Sequence, residues 1–140
     1  MTTSARNGAA AAAGAIAGIL TDVPLRRRGP SGTRLSALIL VGAAAVYPVA
    51  GGDRASNDEA LRGEVSAVLG TAALAVAAWV LPDRVARSVV AAGWVLHAVF
   101  DQTHAASAAT RLPPWYPALC AGYDVAMAAT LARRAPNAAS

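Results

Sequence analysis

His97, Asp101 and His104 stand at i, i+4 and i+7, a spacing that puts all three side chains on one face of an α-helix. Asp124 and Glu64 add two carboxylates inside separate apolar stretches. Such groups suit two kinds of chemistry. Neutral imidazole and carboxylate are common donors to a divalent cation such as zinc, iron or manganese, which makes His97, Asp101, His104 and Asp124 a candidate metal set. A histidine tuned by a carboxylate also moves protons near neutral pH without a metal. In that role His97 is the base, Asp101 orients it, Asp124 is its partner on another helix, and Glu64 completes the acidic lining. Residue types alone do not choose between the two. Cys120 is the one cysteine, so an internal disulfide and a cysteine-cluster zinc site are excluded, and its simplest role is as a small buried side chain.

These groups need elements to hold them. The chain has 140 residues, 56% hydrophobic and 14% charged, whereas a soluble domain carries about 25% charged residues. Four windows approach the roughly 20 apolar residues that cross a bilayer: 35–51, 64–81, 84–104 and 115–132. Pro82-Asp83 separates the second from the third, Pro113-Pro114 precedes the fourth, and Arg133-Arg134 follows it. All 12 basic residues are arginine, and their placement alternates along the chain. Arg6, Arg26, Arg27, Arg28, Arg34, Arg84, Arg87, Arg133 and Arg134 fall on one side of four crossings. Arg54, Arg62 and Arg111 fall on the other. The positive-inside rule then predicts an all-α, four-helix transmembrane bundle with both termini cytoplasmic, a multi-pass protein of a bacterial inner (plasma) membrane. The net charge of +4 belongs to this topology and calls for no nucleic acid partner.

Residues 9–20 form a further apolar stretch of 12 residues. At that length it is too short to cross, and the sequence predicts a cytoplasmic leader over 1–34, rich in Ala, Gly and Arg and partly disordered. A disordered cytoplasmic tail is expected over 133–140.

Depth decides whether the polar groups can meet. With His104 at the outer boundary, His97 lies about 10 Å deeper at 1.5 Å per residue, and Asp124 lies about 13 Å inward from Trp115. The two share a level. Glu64, opening its span, and Tyr47, late in the first, also belong to the outer half, so a polar pocket open to that side is expected. Trp115, Tyr116 and Tyr47 fit an interfacial aromatic belt.

The run Gly93-Trp94-Val95-Leu96-His97, then Phe100-Asp101 and His104, is followed by Trp115-Tyr116-Pro117 and by Cys120 and Asp124. This order resembles a family of small, uncharacterised four-span bacterial integral membrane proteins with the pattern G-W-x-x-H-x-x-W-D-x-x-H, W-x-P and C-x-x-x-D, with a glutamate opening the preceding span. Phe100 stands where that pattern has tryptophan, and Ala105 where a second histidine is frequent. The resemblance implies a four-span fold with a shared polar site and assigns no reaction. His97 and Asp101 also resemble the His-x3-acid pair of sterol isomerase and sigma-2 receptor type bundles, which implies proton shuttling in a lipid-filled pocket.

Three functions follow as expectations. The first is acid/base or metal-assisted chemistry on a small hydrophobic or lipid molecule drawn from the membrane. The second is proton-coupled transport by a homodimer, with close subunit packing through Ala/Gly faces. The third is structural, with the polar cluster only holding the helices together.

Overall fold

A computed structural model of the chain describes residues 2–50, 59–104 and 112–134. The described residues form five helices and no strand: α1 (Thr3–Arg26), α2 (Pro30–Ala50), α3 (Glu59–Val80), α4 (Asp83–His104) and α5 (Tyr116–Arg133). Three of them, α1, α2 and α3, are long and apolar enough to cross a membrane.

The leader expected to be partly disordered is instead α1, a helix of 24 residues. Thr2 caps its start by accepting from the Ala5 N–H at 3.3 Å. The polar residues that seemed to end the apolar stretch are absorbed within the helix. Thr21 folds its hydroxyl back onto the Ala17 carbonyl at 2.9 Å, and Asp22 is buried against Arg134. The reading of residues 9–20 as too short to cross therefore gives way to a helix with enough apolar length. Residues 135–140 of the expected tail lie outside the described residues.

Gly29 adopts a positive φ of 53° between α1 and α2, the left-handed conformation that glycine supplies at a helix end without steric cost. Pro30 then opens α2, where a missing N–H costs nothing. Helix α3 starts five residues before Glu64, so Glu64 does not open the span as expected. It sits in the second turn, fully buried.

Helix α1 packs chiefly along α5, and α5 in turn along α4. The α1–α5 seam is backbone against backbone. A Cβ on Gly14 would collide with the Leu119 carbonyl, and one on Gly122 with the Ala11 carbonyl; one on Gly18 would lie 2.7 Å from the Tyr123 oxygen. Small residues allow this approach. The core between α2, α4 and α5 is built around Trp94, whose Nε1–H donates to Ser36 Oγ at 3.0 Å and whose ring meets Tyr123 at 5.6 Å.

At the end of the bundle where α1 and α5 finish and α2 and α4 begin, the helices are tied by ionic contacts. Thr33 donates to Asp83 at 3.1 Å, and Asp83 pairs with Arg87 at 3.3 Å. Arg87 Nη1 donates to the Arg134 carbonyl at 2.8 Å, while Arg134 pairs with Asp22. Every large apolar side chain left exposed points the other way, outward from the bundle. Ile16, Leu20, Leu69, Val76, Leu96, Val99 and Val125 are all more than half exposed.

Candidate functional site

Helix α4 carries the site because its buried face is the polar one. His97, Asp101 and His104 all point inward with 8% exposure or less, as the i, i+4, i+7 spacing predicts. Trp94, one turn below His97, is fully buried on the same face and fixes its rotation against α2 through Ser36.

Helix α5 brings Asp124 to the level of His97. His97 Nδ1 lies 2.8 Å from Asp124 Oδ2 and 3.7 Å from Asp101 Oδ2. Both carboxylates are sealed off, Asp124 at 1% exposure and Asp101 at 0%. The expected cross-helix partnership of His97 and Asp124 is therefore the shortest polar contact in the site. Asp101 stands further from the ring, and neither of its oxygens accepts a hydrogen bond of ordinary geometry among the described residues.

His104 and Glu64 do not join this cluster. They form a second buried pair, with His104 Nε2 at 2.7 Å from Glu64 Oε1, at the C-terminal end of α4 and in the first half of α3. Seven residues of helix separate the two histidines by about 10 Å, too far for one metal. Of the four candidate metal ligands, His97, Asp101 and Asp124 bring ligand atoms within 4.8 Å of one another. His104 is committed elsewhere.

Tyr47 links the two pairs. The tyrosine expected in an interfacial belt is 1% exposed: its ring lies edge-on to His104 at 5.1 Å and to Phe100 at 5.7 Å, and its hydroxyl faces Asp101. Phe100 stacks on His104 at 4.8 Å and lies 6.1 Å from the His97 ring. Sequence reasoning placed Tyr47 at the right depth and missed its inward orientation. The signal was available, because Leu40, Ala44 and Tyr47 share one helical face and all three are buried.

His97 also borders a groove. His97 Nε2 is shielded from solvent and has no hydrogen-bond partner among the described residues. His97 lines a cavity of about 370 Å³ between α3 and α4, walled by Gly70, Thr71, Leu74, Gly93, Leu96 and Phe100. Its wall is almost wholly apolar. Gly70 leaves open space in the groove, with nothing within 4 Å of a Cβ there, while Gly93 lets the Leu74 and Leu40 side chains pack against α4.

A buried imidazole held by a carboxylate on one nitrogen, with the other nitrogen unpartnered and the residue lining an apolar groove, is an arrangement that can accept and return a proton. No protein family, curated protein or solved structure matches the chain.

Proposed function

We propose that the chain is a multi-pass membrane protein in which His97 acts as an acid–base centre on a lipid-soluble molecule bound between α3 and α4. The observation that carries this reading is His97, which lines an apolar groove while Asp124 holds its Nδ1 and its buried Nε2 has no hydrogen-bond partner among the described residues.

The membrane part rests on an inverted polarity. Ionisable groups are gathered inside and large aliphatic side chains face out on α1, α3, α4 and α5, an exposed apolar surface that water would penalise and lipid would not. With α1 added to the four spans read from sequence, all five helices are taken as crossings, and the N-terminus then lies across the membrane from the C-terminus. Among the described residues, Arg26, Arg27, Arg28, Arg34, Arg84, Arg87, Arg133 and Arg134 then share the cytoplasmic side, against Arg6 and Arg62 outside, which keeps the positive-inside bias. The plasma membrane of a bacterium is the location that the sequence pattern suggests.

The chemistry follows from the dyad. Nε2 takes a proton from one position of the bound molecule, Asp124 and Asp101 hold the resulting imidazolium while its proton exchanges with solvent, and a proton from the ring is returned at a second position. Phe100, half-buried in the same groove, turns aside to uncover Nε2. Purified protein in nanodiscs with a membrane lipid extract in deuterated water should load deuterium onto carbon in a lipid-extractable compound. His97→Ala should reduce that rate by about 10²–10⁴-fold, the usual contribution of a positioned acid–base group. Equal labelling by His97→Ala would overturn the reading.

A metal held by His97, Asp101 and Asp124 is the second reading, supported by the approach of their ligand atoms within 4.8 Å. It requires the cation to take His97 Nδ1 away from Asp124. Elemental analysis beside His97→Ala and Asp124→Asn separates the two. Near-stoichiometric metal, lost in both folded variants, selects the metal reading; none after incubation with zinc, iron and manganese selects proton transfer alone.

A further inference from the structure

We propose that the cleft between α4 and α5 at the arginine-rich end of the bundle is a binding site for a phosphate-type oxyanion. The cleft is separate from the histidine groove and does not depend on its function. It encloses about 290 Å³ and is lined by Arg84, Arg87, Ser88, Leu131, Ala132 and Arg134, so three guanidinium groups from two helices converge on one small space.

The local charges do not cancel. Asp83 is engaged by Arg87 and by the Thr33 hydroxyl, and Asp22 by Arg134. Two carboxylates thus answer two guanidinium groups. Arg84, exposed at the rim, is the third, and no carboxylate lies within ion-pair distance of it among the described residues. A single negative charge completes the set.

A second observation points to a ligand. The Arg134 side chain is only 10% exposed, yet its Nε and Nη1 have no hydrogen-bond partner among the described residues. Buried guanidinium donors left unmet are costly, and their fork geometry matches the oxygens of a phosphate. The Ser88 hydroxyl, which donates to the Arg84 carbonyl at 3.2 Å, stands beside Arg84 one turn along α4 and becomes a neutral donor to the same anion once it turns from that carbonyl.

Position narrows the source. In the five-crossing arrangement this end faces the cytoplasm, where basic pockets between helices meet anionic lipid headgroups. The same oxyanion chemistry is offered by free phosphate. The exposed residues Arg84 and Ser88 allow a test that leaves the buried ties intact.

Purified protein in a neutral detergent would be titrated with sodium phosphate and, separately, with dihexanoyl phosphatidic acid, with binding read as complexes resolved by native mass spectrometry. Saturable one-to-one binding is expected, weakened tenfold or more by Arg84→Gln and by Ser88→Asp, and unchanged by Arg62→Gln, which removes the same charge at the far end. Binding of both probes identifies the phosphate group as the determinant; binding of the lipid alone identifies a headgroup site that also needs the acyl chains. If neither probe binds saturably, or if Arg84→Gln and Ser88→Asp bind like the unaltered protein, the proposal is wrong.

Discussion

His97→Leu should destabilise the purified protein by about 3–5 kcal/mol, because it leaves Asp101 and Asp124 buried together without the base between them. Both carboxylates are at most 1% exposed, so neither can be rescued by water. Asp124→Leu should cost less, about 1–3 kcal/mol, since it strands a neutral imidazole N–H rather than a charge. Combining His97→Leu with Asp124→Leu removes both halves of the 2.8 Å contact and should cost less than the two single changes added together, by at least about 1 kcal/mol. Unfolding in mixed micelles, followed by circular dichroism, gives all three values. The double variant matters for function as well. It should fold and remain inert in the deuterium assay, which distinguishes a working dyad from one that only staples α4 to α5; strict additivity would mean that the contact is not energetically coupled.

The second large effect belongs to the α1–α5 seam. Gly122→Leu places a branched side chain where even a Cβ meets the Ala11 carbonyl, and backbone on a neighbouring helix cannot move aside as a flexible side chain does. Overpacking of this kind costs about 1–3 kcal/mol when the structure can adjust, and here the adjustment is separation of α1. Gly14→Leu should act in the same way through the Leu119 carbonyl. Gly42→Leu is the control, as nothing lies within 4 Å of a Cβ there. Limited proteolysis in detergent should release α1 from the Gly122 and Gly14 variants and spare the Gly42 variant. Equal resistance in all three would contradict the seam. The detached helix would also free Asp22 from Arg134, loosening the ionic ties at the arginine-rich end.

The stripe of α4 was legible in sequence because helical spacing fixes a face without any knowledge of neighbours. The depth argument added the meeting of His97 with Asp124, since two antiparallel helices of known rise must align residues equally far from their shared end. The same argument, carried further, separates His104 from His97 by two turns, and the structure gives His104 to Glu64 at its own level. Glu64 was read as opening its span, whereas helix α3 begins at Glu59 and carries Glu64 in its second turn. Helix α1 was hidden for a related reason. Thr21 and Asp22 end the apolar stretch in composition, but a threonine that bonds the carbonyl four residues back and an aspartate that finds Arg134 across the bundle are both compatible with a continuing helix. No local pattern reveals a partner 112 positions away. The four-residue spacing of Gly14 and Gly18 was the available clue, since it marks a helix face made for close packing.

The acid–base account makes a definite claim about one proton, and nitrogen NMR on protein labelled at histidine observes it. Only two histidines are present, and His104→Gln identifies the signals of His97. The account predicts that Nδ1 carries the proton and donates to Asp124, that Nε2 is an unprotonated acceptor, and that the Nε2 resonance moves when a lipid-soluble weak acid is added to the bilayer. A bare Nδ1 accepting a proton from Asp124, with Nε2 protonated and indifferent to the added acid, would contradict it and leave the pair as an interhelical tie.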